Sequence, residues 1–453
     1  MPFRDWLSAF RQSHRPRNRS ERWERRAEQL EIRTLLTIGF SPGTGVVHIN
    51  GIQSNDTVTI DDVDASTIRV TQNGTQQDFN RADVTRIIFR GRSGDDEFTN
   101  NTDVPAKAVG HQGNDTLIGG TGPDTLLGNR GNDVLRGRQG KDLLNGDRHN
   151  DSLDGGGGND TLRGLQNSDT LVGGSGNDNV DGGEGNDLLI AASNNDITLL
   201  PALMTGAGND RLRNVERADI TGGNGANVID ASAFGGFVTI RGRNGADRIL
   251  GSQGGSVLIG GNGEDTLIGG PANDTLRGEG SNDELNGHGG DDLLELSAGN
   301  DALNGGDGTD RIEVTGVSTA TLNATQLILN GTDSHSGIDE VSLTGTSSAD
   351  TINAAGFLGS VTIEGGGGSD VLTGGEGNDV IRGGGGNDTI NAGGGDDCVL
   401  GGGGIDDLNG GDGTADFFSA AVSGNVTLTN TQLSAAVTES ISGFEAASLK
   451  GSS

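Results

Sequence analysis

Aspartates spaced nine residues apart are the residues of this chain best suited to do chemistry. They form three runs, and the candidate ligands of the first are Asp115, Asp124, Asp133, Asp142, Asp160, Asp178 and Asp187. The second run contributes Asp265, Asp274, Asp283, Asp292, Asp301 and Asp310, and the third contributes Asp370, Asp379, Asp388, Asp397 and Asp406. A set of carboxylate and main-chain carbonyl oxygens suits calcium. The spacing therefore predicts a series of metal sites with Ca²⁺ as the cofactor.

Each aspartate ends a glycine-rich six-residue turn, of which Gly173-Gly174-Ser175-Gly176-Asn177-Asp178 shows the full form. Glycine accepts the positive φ angles that so sharp a turn requires. Asn167 and Asn194 stand where glycine is missing, and asparagine tolerates that conformation. His149 is a weaker substitute, so its turn is predicted to be irregular. Glycine and aspartate build tight turns in many loops, but that alternative explains the composition and not the fixed phase.

An apolar residue follows each aspartate by two positions, which predicts a short strand with its middle side chain facing inward. These residues are Leu117, Leu126, Leu135, Leu144, Leu153, Leu162, Leu171, Val180, Leu189, Ile249, Leu258, Leu267, Leu276, Leu285, Leu294, Leu303 and Ile312. Two nine-residue units make one coil, and parallel strands of successive coils stack about 4.8 Å apart. Aspartates 18 residues apart should then lie one above another. The predicted fold is all-β, a parallel β-roll or β-helix solenoid.

The pattern G-G-x-G-x-D-x-U-x resembles the repeat of RTX (hemolysin-type) calcium-binding proteins. The resemblance covers 91–198, 242–313 and 365–418. It implies a β-roll in which calcium lies between neighbouring turns, held by the aspartates and by backbone carbonyls. The aspartates at full motifs, to which it assigns this role most directly, are Asp124, Asp160, Asp178, Asp187, Asp265, Asp310, Asp370, Asp379, Asp388 and Asp406.

The segments between the repeat blocks are predicted to be β-rich spacers. They cover 37–90, 199–241, 314–364 and a C-terminal spacer or cap at 419–453, and part of the second recurs in the third at an offset of 123 residues. Residues 1–36 form a basic segment that ends in Leu30-Glu31-Ile32-Arg33-Thr34-Leu35-Leu36. That string resembles the LEPR-x-LL export segment of planctomycete surface proteins, with Ile32 in place of proline. An export signal and a plain basic tail both remain open.

Composition narrows the function classes. The net charge of −33 opposes binding to nucleic acid. One cysteine, Cys398, rules out an intrachain disulfide, and no apolar run is long enough to span a membrane. The string Gly39-Phe40-Ser41-Pro42-Gly43 fails as a nucleophile elbow because Pro42 has no N–H for an oxyanion hole. No zinc-helix motif occurs either, so no catalytic site is expected.

The sequence as a whole indicates a bacterial calcium-binding protein, secreted or at the cell surface, that is structural or adhesive and folds on binding calcium. Its expected partners are calcium ions and cell-surface or matrix components. The alternative is an exported RTX-type enzyme or toxin with an unrecognised active site in the spacers. A carbohydrate-binding module is less favoured, because only 3% of the residues are aromatic.

Overall fold

A computed structural model describes residues 37–451, apart from 330, 414, 423–426, 429–431, 435–437 and 443–445. The predictions for the basic N-terminal segment lie outside the described residues. The chain divides into two compact units, Met1–Gly157 and Gly158–Ser453. Within the described residues the only helical element is a short 3₁₀ turn, η1 (Arg81–Asp83); all other regular structure is β.

The first unit is built from fourteen short strands. They are β1 (Thr37–Ser41), β2 (Val46–Asn50), β3 (Thr57–Asp64), β4 (Thr67–Gln72), β5 (Thr75–Asn80), β6 (Arg86–Ser93), β7 (Glu97–Asn100), β8 (Ala106–Gln112), β9 (Thr116–Ile118), β10 (Thr125–Arg130), β11 (Val134–Arg136), β12 (Gln139–Gly140), β13 (Leu143–Arg148) and β14 (Ser152–Gly158). One parallel sheet contains β2, β6, β8, β10 and β13, and β1 joins β2 antiparallel. The other contains β3, β7, β9, β11 and β14, with β4 and β5 added antiparallel.

The first part of the second unit continues the same alternation of short strands. Its strands are β15 (Thr161–Gln166), β16 (Thr170–Ser175), β17 (Asn179–Glu184), β18 (Leu188–Ala192), β19 (Ile197–Leu200), β20 (Leu203–Thr205), β21 (Asn209–Arg213), β22 (Arg217–Thr221), β23 (Val228–Asp230), β24 (Phe237–Asn244), β25 (Arg248–Leu250), β26 (Ser256–Asn262), β27 (Thr266–Ile268), β28 (Thr275–Gly280), β29 (Glu284–Gly289), β30 (Leu293–Glu295), β31 (Ala302–Asp307) and β32 (Arg311–Thr315).

The remainder of that unit runs to the end of the described chain. Its strands are β33 (Thr319–Asn323), β34 (Gln326–Ile328), β35 (Thr332–Ser336), β36 (Glu340–Thr344), β37 (Thr351–Gly356), β38 (Ser360–Gly367), β39 (Val371–Thr373), β40 (Val380–Gly385), β41 (Thr389–Asn391), β42 (Cys398–Gly403), β43 (Asp407–Asn409), β44 (Phe417–Val422), β45 (Thr427–Leu428), β46 (Gln432–Ser434), β47 (Thr438–Ser442) and β48 (Ala446–Gly451). Cys398 begins β42 and is partly exposed.

In the second unit the strands stack in parallel, and the spacer strands join the same sheets as the repeat strands. One sheet runs without a break from β16 through β18, β22, β24 and β26. The other sheet carries the insertions: β20, β34 and β46 are antiparallel strands that widen one coil each. In the repeat blocks the register is 18 residues per coil, as Thr266↔Glu284 illustrates.

The core of each unit is formed by inward side chains of successive strands; in the repeat blocks the main apolar contribution of each strand is the residue two positions after the aspartate. All the predicted apolar residues from Leu117 to Ile312 expose 5% or less of their surface, and most expose none. Their strand neighbours are partly or fully exposed, as the pattern of β15 shows. Each unit is a parallel β-solenoid, which confirms the predicted fold class. Among the described residues no helix is long and apolar enough to cross a membrane.

Candidate functional site

The predicted metal-binding aspartates are buried. All eighteen expose 4% or less of their surface, including Asp133 and Asp388 at 1% each. Each stands directly before a strand whose middle residue is in the core, so the strand register places the carboxylate against the turn of a neighbouring coil. A buried carboxylate is unfavourable unless it is hydrogen-bonded, protonated or bound to a cation.

In most of these aspartates one carboxylate oxygen joins the residue to the preceding coil. Asp388 Oδ1 accepts the backbone N–H of Asp370 at 2.9 Å, and Asp406 Oδ1 accepts that of Asp388 at 2.9 Å. We call such a column an aspartate ladder. In the first unit the ladders contain Asp56, Asp96, Asp115, Asp133 and Asp151, and separately Asp124 and Asp142.

The second unit contains six ladders of the same kind. They are formed by Asp160, Asp178 and Asp210; by Asp169 and Asp187; by Asp247, Asp265, Asp283, Asp301 and Asp333; by Asp274, Asp292 and Asp310; by Asp350, Asp370, Asp388 and Asp406; and by Asp379, Asp397 and Asp416. The stacking that the nine-residue phase predicts is therefore present.

A second set of side-chain ladders runs in the opposite sense, through the residue just before the aspartate. Asn387 Oδ1 accepts the N–H of Ile405 from the following coil at 2.9 Å, and Asn132 Oδ1 accepts that of Asn150 at 3.1 Å. The aspartate reaches back one coil, and the asparagine accepts from the next. Together these bonds hold successive turns in register.

The other carboxylate oxygen is left without a donor in most rungs. Asp388 Oδ2 is buried and accepts no hydrogen bond. The same is true of Oδ2 in Asp96, Asp115, Asp133, Asp178, Asp187, Asp210, Asp247, Asp265, Asp283, Asp292, Asp310, Asp370, Asp397 and Asp406. A buried anionic oxygen with no partner costs several kcal/mol. So many of them at equivalent positions call for a ligand that recurs with every coil.

A main-chain carbonyl points at the same small space as the unpaired carboxylate oxygen. A Cβ built on Gly383 would lie 2.3 Å from Asp388 Oδ2 and 2.5 Å from the carbonyl oxygen of Gly401, in the next coil. The turns that end at Asp292 and Asp370 repeat this arrangement. Two acceptors with no hydrogen between them repel each other unless a cation joins them. Calcium, a hard cation that binds carboxylate and main-chain carbonyl oxygens, fits such a pair of acceptors.

Burial also changes how these carboxyl groups titrate. Loss of solvent raises the pKa of Asp115, Asp133 and Asp397 to about 7, and neighbouring carboxylates add to the effect. It raises the pKa of Asp265 and Asp283 to about 6. The folded chain without metal therefore holds protons that ordinary aspartates lose near pH 4. A proton and a cation would compete for the same oxygen.

Each candidate site would draw on few side chains. Across the described residues, no three His, Cys, Asp or Glu side chains converge in a cluster able to hold a metal ion. A ladder instead offers aspartates one coil apart together with carbonyl oxygens of the glycine turns. The donor set is oxygen alone, which suits calcium and not zinc.

Comparison with known families decides between a calcium site and a merely structural turn. The model for the RTX calcium-binding nonapeptide repeat matches residues 109–144, 127–162, 137–171, 163–197, 221–258, 259–294, 287–314 and 364–399. This is an RTX repeat protein. Its unpaired buried oxygens and converging carbonyls fit the calcium that RTX repeats bind. No curated protein matches the chain.

Several ladder members of this RTX protein escaped the phase analysis. Asp96 and Asp416 stand 19 residues from the next ladder aspartate, and Asp210 and Asp333 stand 32 residues from theirs. Strict nine-residue steps miss them. A buried apolar residue two positions after the aspartate, as Leu212 follows Asp210, would have found all of these except Asp333, where the residue in that place is a histidine.

Asp196, nine residues after Asp187, differs from the aspartates predicted to bind metal. Asp196 keeps the nine-residue phase but is exposed, and its Oδ1 accepts the N–H of Val228 outside any ladder. Asn194 does not adopt a left-handed conformation, so that prediction is wrong, because this turn leads into an inserted hairpin. Asn167 does adopt it, with φ of 79°. His149 also reaches φ of 77°, and Asp151 after it stays in its ladder.

In certain turns a backbone N–H of the same turn donates to the carboxylate oxygen that is unpaired elsewhere, so no cation is needed there. In the turn of Asp379 the N–H of Gly375 donates to Oδ2 at 2.6 Å, while Val361 donates to Oδ1 at 2.7 Å. We call these opening turns, because they stand where a ladder begins. The residues that receive this N–H are Asp56, Asp124, Asn227, Ser256, Asp350 and Asp379.

Asp274 receives the same N–H, from Gly270, although it is a second rung. Gly270 precedes Pro271, and a residue before proline is held in an extended conformation. That conformation directs its N–H toward the carboxylate. Asp274 Oδ2 is therefore paired as in an opening turn, whereas its buried Oδ1 accepts no hydrogen bond.

Proposed function

We propose that this RTX repeat protein is a secreted or cell-surface structural and adhesive protein whose coils close when calcium binds. The observation that carries the proposal is the repeated unpaired Oδ2 of the ladders, as in Asp115, Asp265 and Asp388. Without a cation these oxygens must be protonated or return to water. Binding free energy at such sites is folding free energy, because the unfolded chain has no preformed site.

Residues of the chain position the oxygen atoms to which calcium would bind. The ladder bonds of Asp388 orient its carboxylate, and the carbonyl of Gly401 faces the same space. Calcium would supply the positive charge that these oxygens lack. Extracellular calcium modules work at about 10⁻⁴–10⁻³ M, which suits a chain that stays expanded inside the cell and folds outside it.

We propose a structural rather than a catalytic role for the folded solenoid. The spacer strands β22 and β36 pair in parallel with the repeat strands β18 and β32 on one side, and with the strands that follow them, β24 and β38, on the other. The spacers thus serve the same stack as the repeats. Adhesion would use the outward side chains of the sheets and turns.

The decisive experiment is a calcium titration of metal-free protein at pH 7.5, followed by far-ultraviolet circular dichroism. We expect a cooperative rise in β signal between micromolar and millimolar calcium, and a much weaker response to magnesium, which demands a stricter octahedron. Equal β content with and without calcium would contradict coupled folding. Immunodetection in culture medium, on intact cells and in lysate tests the location separately.

A further inference from the structure

Three arginines line one cleft at a turn edge of the first unit: Arg92, Arg130 and Arg148. Arg130 at the end of β10 is the register partner of Arg148 at the end of β13. Arg92 is the penultimate residue of β6, and its register partner on β8 is His111. Adjacent strands lie about 4.8 Å apart, so Arg130 and Arg148 repel each other unless an anion is shared between them.

These cleft arginines have no carboxylate partner among the described residues. Arginines on the second unit are treated differently. Arg241 pairs with Asp219 at 2.6 Å, and Arg382 pairs with Glu364 on the neighbouring strand. The chain has a net charge of −33, so acidic residues are abundant. The cleft arginines are nevertheless without a carboxylate partner in the described part of the chain.

The turn position itself does not require a basic residue. Arg130 and Arg148 are the third residues of their six-residue turns, and no other turn of the series has a lysine or arginine there. The equivalent residues in three turns of the second unit are Glu184, Asp307 and Glu376. One repeated scaffold thus carries opposite charges at the same place.

The cleft also contains backbone strain on four successive coils. Arg92, His111, Asn129 and Asp147 have φ of 88°, 83°, 79° and 85° at the second turn position, where the full motif has glycine. A left-handed conformation costs a non-glycine residue about 1 kcal/mol. The same conformation at Leu165, outside the cleft, shows that this strain belongs to the turn motif, so the arginines are what distinguish the cleft.

We propose that this cleft binds a sulfate or phosphate ester carried on a sugar. The arginines offer planar forks of N–H donors for the tetrahedral oxyanion. Gln112 and Asn129, which also line the cleft, can donate amide N–H groups to it or to hydroxyls, and Asp147 can accept from a sugar hydroxyl. Burial, then the charges of Arg90 and Arg92, lower the pKa of His111, so its imidazole is a neutral hydrogen-bonding group.

The chemistry of the cleft favours a sugar ester over a nucleic acid. No Phe, Tyr or Trp lines it, so it lacks the aromatic platform of single-stranded nucleic-acid sites. The acidic body of the protein repels a continuous polyphosphate. A single esterified anion among neutral hydroxyls matches one compact group of arginines beside Gln112, Asn129 and Asp147.

The test is isothermal titration calorimetry on the full chain at saturating calcium. The probes are glucose 6-sulfate, glucose 6-phosphate, inorganic sulfate and glucose. We expect both esters to bind more tightly than inorganic sulfate, glucose to show no heat of binding, and affinity to fall as salt is added. Absence of binding by both esters overturns the proposal. Inorganic sulfate binding as tightly as the esters overturns the sugar carrier.

The variants separate the cleft from bound calcium as the anion receptor. Arg130→Gln combined with Arg148→Gln should raise the Kd of the esters by at least about tenfold. Arg136→Gln removes the same charge from an exposed position on β11, in the other sheet, and should leave the Kd unchanged. Equal ester binding by the double variant and the wild type overturns the proposal. Circular dichroism with calcium confirms that each variant folds, and a failure here leaves the calcium titration unaffected.

Discussion

Two turns with the same motif show how one sequence pattern gives two chemical environments. Residues 374–379 and 383–388 are both Gly-Gly-x-Gly-Asn-Asp. In the first, Gly375 donates its N–H to Asp379 Oδ2. In the second, Gly384 has φ of 105° and its N–H does not reach the carboxylate, so Asp388 Oδ2 is unpaired. The difference follows from position in the stack, because only the second turn has another repeat turn before it.

At an opening turn the aspartate can be replaced by a neutral residue, whereas the interior rungs are aspartates. Asn227 and Ser256 occupy opening positions, where their side-chain oxygens accept the N–H of Gly223 and Ser252. The interior rungs are aspartates, as at Asp115, Asp283 and Asp388. A neutral acceptor is enough where the backbone supplies a donor. We infer that dependence on calcium resides in the interiors of the ladders.

Protons should replace calcium in the interior rungs, which is the largest effect we expect. Burial raises the pKa of Asp115, Asp133 and Asp397 to about 7, against about 3.9 in the unfolded chain. Between those values the folded, calcium-free chain binds more protons than the unfolded chain. Its stability is therefore present in acid and is lost as the pH rises through about 7.

The measurement is urea unfolding of calcium-free protein, prepared over a chelating resin, at pH 5.5 and pH 8. We expect β structure and a cooperative transition at pH 5.5 and their loss at pH 8. With saturating calcium the trend should reverse, because protons displace the ion. A calcium-free chain that is more stable at pH 8 than at pH 5.5 would contradict the assignment of the buried carboxyls.

Gly383→Ala should have the next largest effect. The new Cβ would meet Asp388 Oδ2 at 2.3 Å and the carbonyl of Gly401 at 2.5 Å, and the carbonyl belongs to the stacked backbone. We expect a loss of about 3 kcal/mol in calcium-bound stability. Gly385→Ala is the matched control in the same turn, since nothing lies within 4 Å of its Cβ, and it should change stability by less than about 0.5 kcal/mol. Equal losses would mean that the oxygen pair is not rigid.

Asp388→Asn should act with opposite sign in the two metal states. The amide removes a buried charge, and its N–H₂ can donate toward the carbonyl of Gly401, so the calcium-free fold should gain about 1–2 kcal/mol. The calcium-bound fold should lose a similar amount and bind fewer ions. Asp379→Asn should cost about 1 kcal/mol in both states, because an amide cannot accept both N–H groups that now bind the carboxylate. Urea unfolding with and without calcium tests both variants, and identical responses would remove the distinction between the turns.

The fold could be derived from the sequence because the residues that recur every nine positions are also the residues that form the core. A buried residue two positions after each aspartate defines the strand, and the phase of nine defines the coil. What the period could not reveal is where a coil widens. The hydrogen bond from Asp178 to Asp210 Oδ1 needs only that the two coils be stacked, and β20 takes up the additional residues between them.

Whether the Oδ2 atom of each aspartate is hydrogen-bonded or unpaired could not be derived from the sequence. The motifs ending at Asp379 and Asp388 are alike, and the donor that satisfies Asp379 is a backbone group set by the φ of Gly375. The period of nine could have stacked Arg130 on Arg148, which are 18 residues apart, but it could not have added Arg92, because a 19-residue step separates its coil from the next. Only the strand register brings the three to one edge.

The asparagine ladder should make the smallest contribution. Asn387→Ala removes the acceptor for the N–H of Ile405, a bond of 2.9 Å at an exposed turn where water can replace it. We expect a loss of about 0.5–1 kcal/mol, equal with and without calcium, because this bond involves no carboxylate of the ladders. Asn387→Ser is the control, since Ser369 already accepts the N–H of Asn387 through its hydroxyl one coil earlier, and it should retain most of the stability. If Asn387→Ala instead lowered stability only with calcium, the asparagine would belong to the ion-binding apparatus, and opening and interior turns would have to be compared by both of their side-chain ladders.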